Sequence, residues 1–352
     1  MAASEDLARQ FDPFRPELLA YCYRMLGSVH DAEDQVQETM IRAWRSYGDF
    51  EGRASLRTWL YRIATNACLR ALENSGRRPL PSGLGGPSEY PEAPLAAARA
   101  EVPWLQPMPD ALVTAASDDP AEIVASRQGM RLALIAAWQY LPARQRAVLI
   151  LRDVLRWRAA EVADLLGTTT TAVNGMLQRA RARLEQAAPD EDEISEPADP
   201  ADRAVLDQYA AAFQNADIAA VMDLLREDAI FEMPPELTWF AGRELIGRFL
   251  QSRVLTEPGR FQTIPVAANG QPALGTYRRG HGGVYHAHGI CVLTIAAARI
   301  IRVTSFNDPG LAVLRRLRGP GIAAYVAVPD RDQRLPARAG EQRPPAIAVR
   351  TG

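Results

Sequence analysis

Thr170, Thr171, Asn174, Gln178, Arg179 and Arg181 end in hydroxyl, amide and guanidinium groups, the kinds of side chain that meet base edges and phosphates in a major groove. Interleaved with them, Val173, Leu177, Ala180 and Leu184 recur every three or four residues and form a stripe that must be buried, which leaves the polar set outside. Upstream, small Ala163 is followed after four residues by Gly167 and after six more by Val173. This is helix-turn-helix spacing: Ala163 lets two helices approach, Gly167 takes the left-handed conformation of the turn, and Val173 seats the second helix. Between Arg144 and Glu185 there are eight Arg and four acidic residues, a local net of about +4 in a chain of formal charge −2, so the cationic patch falls on the motif. Spacing alone also fits an ordinary helical hairpin with a solvated charged face; the charge argues for nucleic acid. Gly175 inside the second helix costs about 1 kcal/mol relative to Ala.

The elements that must carry these groups are set out by composition. With 352 residues, 47% of them hydrophobic, the chain can fill two or three domains. Residues 75–120 hold nine Pro and four Gly, and residues 187–202 hold seven acidic groups (Asp190, Glu191, Asp192, Glu193, Glu196, Asp199, Asp202) and no basic one. Both read as linkers. The Pro-, Arg- and Gly-rich stretch 319–352 reads as a mobile tail. Residues 14–72 and 121–186 show helical periodicity, as in Val36, Met40, Ala43 and Tyr47 and in Leu56, Leu60, Ile63 and Ala67. Residues 203–252 also read as helical, and after Gly259 the pattern turns to short β-rich runs such as 285–295 and 300–306. The longest apolar stretch, 290–298, is far short of the roughly 20 residues of a membrane span, and the acidic N-terminus is unlike a signal peptide, so a cytoplasmic protein without membrane contact is expected. Cys22, Cys68 and Cys291 stand singly, which suggests buried thiols rather than a disulfide framework or a zinc site. There is no Lys, so apart from His every basic side chain is Arg.

The stretch LPARQRAVLILRDVLRWRAAEVADLLGTTTTAVNGMLQRARARL resembles region 4 of the extracytoplasmic-function (ECF) RNA polymerase sigma factors, and FRPELLAYCYRMLGSVHDAEDQVQETMIRAWRSYGDFEGRASLRTWLYRIATNACLRAL resembles their region 2. The resemblance implies that region 4 reads the upstream, minus-thirty-five promoter element and that the proline-rich segment connects the two regions through the polymerase. Asp31, Glu33, Asp34 and Glu38 make an acidic stretch on a helix whose other face carries Val36, Met40 and Trp44; in the family this helix docks on the clamp of the polymerase's largest subunit. Gln35 stands where the family usually has Leu. The acids also fit a plain solvated face. By resemblance, the loop at 48–55 and the following helix meet the minus-ten element. Phe50, Arg53, Arg57, Trp59, Tyr61, Arg62 and Asn66 offer aromatic, cationic and amide groups there, and stacking of unpaired bases on such groups is worth about 1–3 kcal/mol per base. Trp59 and Tyr61 fit the core equally well.

Residues from about 202 to 317 resemble the SnoaL-like domain, an α+β cone related to nuclear transport factors and ketosteroid isomerases. The likeness rests on VLDQYAAAFQNADIAAVMDLLREDAIFEMPP, WFAGRELIGRFL and VTSFNDPGLAVLRRL. Such cones hold small apolar molecules between helices and sheet and some move a proton with an acid. Asp228, Glu232, Tyr277, His286, His288 and Asp308 are the candidates that this implies. His286 and His288, two apart on an expected strand, share a face and could polarise a carbonyl or bind a metal, but read as well as satisfied core histidines, and no third metal ligand is nominated nearby.

The expected architecture is therefore multidomain: sigma region 2 as a helical bundle (10–75), a proline-rich linker (76–120), region 4 with its helix-turn-helix (121–187), an acidic linker (188–201), an α+β SnoaL-like domain (202–318) and a tail (319–352). The expected partners are core RNA polymerase and promoter DNA, with a small apolar ligand or an anti-sigma protein as further candidates and no cofactor or metal. The cone is expected to regulate, and the acidic tether after the DNA-reading helix could compete with DNA phosphates. Two other readings stay open: a one-component helix-turn-helix regulator with the cone as sensor, and a cyclase or isomerase fused to a DNA-binding module. The acidic helix and strand-opening block of region 2 argue against the first.

Overall fold

The computed structural model of the chain describes residues 9–52, 54–73, 76–96, 102–113, 129–187 and 200–312. Arg53, most of the acidic segment and the tail lie outside the described residues, as does the stretch leading into region 4.

Three helices form the N-terminal bundle: α1 (Arg15–Leu26), α2 (Val29–Ser46) and α3 (Leu56–Glu73). Gly27 ends α1 in the left-handed conformation, and Ser28 begins α2 by accepting a hydrogen bond from the Asp31 amide at 3.1 Å, so the corner is capped on both sides. Next come α4 (Leu132–Trp138), α5 (Ala143–Leu149) with a π turn at Ile150–Val154, α6 (Ala159–Leu166) and α7 (Thr170–Ala187). Gly167 sits between α6 and α7 at φ 60°, and Ala163 and Val173 are buried, which is the helix-turn-helix that the spacing predicts.

Regions 2 and 4 are not separate bodies. Leu18, Tyr21, Tyr61 and Cys68 share one core with Ile135, Val148, Trp157, Val162 and Val173. Arg146 of α5 is buried and donates to the Met25 carbonyl at the end of α1, and to Gln139 at 2.9 Å; Arg24 donates to the Gly129 carbonyl at 3.0 Å. Burial lowers the pKa of both guanidiniums to about 10, so they remain charged and tie one region's carbonyls to the other's cations.

The C-terminal unit has α8 (Pro200–Gln214), α9 (Ile218–Leu224) and α10 (Arg243–Phe249) against a six-stranded sheet in the order β2-β1-β6-β5-β4-β3. Its strands are β1 (Leu225–Glu232), β2 (Trp239–Ala241), β3 (Phe261–Ala268), β4 (Gln271–Arg279), β5 (Tyr285–Ala296) and β6 (Arg299–Phe306); β1 runs parallel to β6 and the other pairs are antiparallel. The reading of 203–252 as helical is corrected here, because β1 and β2 fall inside it. From Ala229 onward Ala229, Phe231 and Met233 alternate into the core with period two, and that alternation overrides the helical pattern before it. The three cysteines are buried and free.

Candidate functional site

On region 4, Thr170, Thr171, Asn174, Gln178, Arg179 and Arg181 are all exposed along α7, while Val173, Leu177 and Ala180 face inward. Arg181 forms a two-pronged ion pair with Asp153 at 2.9 and 2.7 Å. Exposed pairs of this sort are worth about 0–1 kcal/mol, so Asp153 holds the Arg181 guanidinium only weakly.

On region 2 the expected surface is largely occupied. Tyr61 does not face solvent: it is fully buried, with its ring 5.2 Å from those of Tyr21 and Trp157. Arg57 is held by Glu17 at 2.8 Å and lies over Tyr61, and Arg62 is paired with Asp164 of α6. Phe50 and Trp59 pack on each other at 4.9 Å and are half-buried. Asn66 is exposed, in a shallow depression lined by Arg42, Arg45, Ser46, Ile63 and Arg70.

The α2 surface departs from expectation in one respect. Trp44 is not on the buried face with Val36 but is 53% exposed, and Ile41 is 45% exposed. With exposed Asp34 and half-buried Glu38 they make a stripe at helical spacing, acidic at one end and apolar at the other. Glu33 and Gln35 are half-buried, Asp31 is paired with Arg78 of the connector, and Glu38 with Arg42. The helical spacing of Asp34, Glu38, Ile41 and Trp44 carried this signal.

Sequence reasoning missed the residues that join the three units. Asn269 and Gly270 form a two-residue hairpin turn between β3 and β4, with φ 57° and 62°, which is the type I′ geometry that Asn-Gly favours. Asn269 is fully buried among sigma residues. Its backbone N–H donates to the Met108 carbonyl at 2.8 Å and its Oδ1 accepts from the Met108 amide at 2.9 Å. Its Nδ2 donates to the Tyr23 hydroxyl oxygen at 2.8 Å and to the Met130 carbonyl at 2.7 Å. Gly270 N–H meets Asp110 at 2.9 Å, and Gln271 Oε1 accepts from the Leu132 amide at 3.0 Å. One turn of the cone thus binds region 2, the connector and the entrance to region 4 together. The connector follows the same route: Glu232, fully buried, accepts from Arg302 at 2.8 Å, Thr304 at 3.2 Å and the Ser82 amide at 3.2 Å.

Within the cone, a cavity of about 260 Å³ opens between α8, α10 and the sheet. Of the six candidates only His288 lines it. Phe231 and Met233 face the cavity, so Glu232 between them points to the opposite face of β1; likewise Thr276 and Arg278 face it and Tyr277 does not. Asp228 is exposed and paired with Arg226, Asp308 accepts from the Gly310 amide at 2.8 Å, and His286 is exposed beside Gly280. His288 falls at the register shift between β4 and β5, which aims it inward.

Burial, followed by the nearby Arg278 and Arg260, lowers the His288 pKa from 6.5 to about 4. Its folded form is therefore neutral, and the unfolded chain takes up a proton more readily between those values. The His288 contribution is intact above about pH 6.5 and is lost as pH falls from there towards 4, an effect of about 3 kcal/mol. His288→Gln should flatten that part of the stability profile measured by urea unfolding; an unchanged acid limb would show that the imidazole titrates normally.

A helix-turn-helix packed on a three-helix bundle, with an α+β cone attached, defines a DNA-binding regulator of the sigma class. The chain matches the descriptions Sigma-70 region 2 over residues 11–78, Sigma-70, region 4 over 131–184 and SnoaL-like domain over 206–303. It is 49% identical over 308 residues to the ECF RNA polymerase sigma factor SigG of Mycobacterium tuberculosis, covering 87% of this chain and 82% of that one. To SigJ of the same species it is 29% identical over 314 residues (85% and 91%). The crystal structure of Mycobacterium tuberculosis SigJ superposes with a TM-score of 0.57 at 24% identity, over 86% of this chain and 96% of that one, a likeness of fold. The chain belongs to the ECF RNA polymerase sigma factors, and as a member of that family it joins core polymerase and directs it to promoter DNA.

Proposed function

We propose that this sigma factor is held closed by its own cone and must open to engage a promoter. The observation that carries the reading is the direct contact of the two DNA-reading regions: Arg62 of α3 is paired with Asp164 of α6, and Tyr61 packs on Trp157. Promoter elements named for positions roughly 35 and 10 base pairs upstream lie about 85 Å apart at 3.4 Å per base pair. Regions in van der Waals contact do not span that distance on straight DNA. The hairpin tip at Asn269 is the latch, and the connector docked at Ser82 and Met108 is the part that would be drawn away as polymerase separates the regions. The cone acts by binding and holding, not by chemistry, a reading supported by a cavity lining of apolar, cationic and neutral polar groups around a neutral His288. A polymerase subunit of this kind works in the cytoplasm, and no helix among the described residues is long and apolar enough to cross a membrane.

On the open form, Asp34, Glu38, Ile41 and Trp44 are the polymerase-facing stripe, Phe50, Trp59 and Asn66 meet the unpaired strand, and α7 reads the upstream element. Asn174 and Gln178 contribute most to base choice, and Arg179 and Arg181 to phosphate contact. Charge reversal at Asp34 and Glu38 should weaken capture of core polymerase at least about tenfold at moderate salt, read by pull-down titration, since like charges across an interface cost several kcal/mol. Undiminished capture would remove α2 from the docking surface.

A further inference from the structure

The cavity inside the cone is apolar at depth and cationic at its rim. Phe231, Phe249, Leu274 and Cys291 line its interior. Arg260 and Arg278 stand in the same lining, and neither has a carboxylate partner among the described residues; the Arg260 guanidinium donates to the Thr256 hydroxyl at 2.6 Å and lies 5.9 Å from the centre of the Phe261 ring. A fully buried Tyr209 also lines the cavity, and its hydroxyl has no hydrogen-bond partner among the described residues. A buried hydroxyl left unpaired is disfavoured by about 1–3 kcal/mol, which an oxygen placed in the cavity would relieve.

The connector closes over this space. Leu95 is part of the lining. It is held there by its neighbours: the Glu92 carboxylate makes a fork with Arg248, both bonds at 3.0 Å, Arg253 donates to the Glu92 carbonyl, and the Ala96 amide donates to Thr238 at 2.9 Å.

We propose that the cavity binds a small amphiphilic carboxylate carrying a second oxygen, of the hydroxy fatty acid class, under the Leu95 strap. The carboxylate sits between Arg260 and Arg278, the hydrocarbon lies among Phe231, Phe249 and Leu274, and the second oxygen accepts from Tyr209. A neutral apolar molecule would leave both guanidiniums unused, and an ammonium would be repelled by them. Because the strap belongs to the connector between regions 2 and 4, occupancy of the cavity and the position of the connector are linked.

Calorimetric titration of the full chain, without polymerase or DNA, tests this with three probes: decanoate, decanoate hydroxylated at its terminal carbon, and decyltrimethylammonium. The hydroxylated acid should bind more tightly than decanoate, and the ammonium not at all. Joint Arg260→Ala and Arg278→Ala substitution should weaken both acids at least about tenfold. Tyr209→Phe should abolish the preference for the hydroxylated acid and leave decanoate unchanged. Hydrogen exchange at residues 92–96 should slow when the acid is bound. Equal binding of the ammonium probe, undiminished binding by the double Arg variant, or no binding of any probe at millimolar concentration would each overturn the assignment. Since no step requires opening of the chain, failure here would leave the closure reading standing.

Discussion

Asn269→Ala should free the cone from the sigma core and raise promoter-specific transcription at equal protein and polymerase concentrations. The substitution removes the three hydrogen bonds of the Asn269 side chain and leaves the Met108 amide and the Met130 carbonyl buried without those partners. Each such orphan costs about 1–3 kcal/mol, and Ala in a left-handed conformation adds about 1 kcal/mol or more. The sum, about 3–7 kcal/mol, is comparable with the whole stability of many domains, so the contact should open rather than persist under strain. Hydrogen exchange would show fast amides at Met108 and Leu132, while circular dichroism stays near that of the parent. An Asn269→Ala protein that keeps both amides protected and transcribes as the parent does would deny the turn its role as a latch.

The second large effect is expected at the base of the same connection. Arg302→Leu leaves the Glu232 carboxylate, fully buried, with only the Ser82 amide and the Thr304 hydroxyl. Breaking a buried pair from one side costs about 3–5 kcal/mol, whereas replacing both partners can be nearly neutral. Arg302 is itself partly exposed, so about 2–4 kcal/mol is expected in urea unfolding. Adding Glu232→Gln should recover most of it. If the single variant unfolds at the same urea concentration as the parent, the pair does not anchor the connector.

Local motifs were legible in the sequence. Ala163, Gly167 and Val173 specify a helix-turn-helix within eleven residues, and the structure places α6, Gly167 and α7 where they require. What the sequence carried but was not read from it is equally local. Asn269-Gly270 between two β-rich runs is a strong hairpin signal, and strand alternation separates Glu232 from Phe231 and Met233, and Tyr277 from Thr276 and Arg278. The burial of Tyr61 belongs to another class. It follows from Trp157, almost a hundred residues away, and no periodicity within either segment announces that contact. The same holds for Arg146 on the Met25 carbonyl, since a buried guanidinium and an exposed one look alike in a helical pattern. For that reason the two sigma regions read as separate domains while the structure gives them one core.

The separation of regions 2 and 4 tests the account most directly. The three native thiols are buried, so spin labels can be placed at exposed positions outside the DNA-reading surfaces through Glu73→Cys and Ala160→Cys. Distances by pulsed electron paramagnetic resonance should show one narrow, short population in the free protein. On addition of core polymerase and promoter DNA this should give way to a population longer by tens of ångströms, of the order that separated promoter elements demand. A distance that stays short in a complex shown to transcribe would contradict the claim that the chain must open to work.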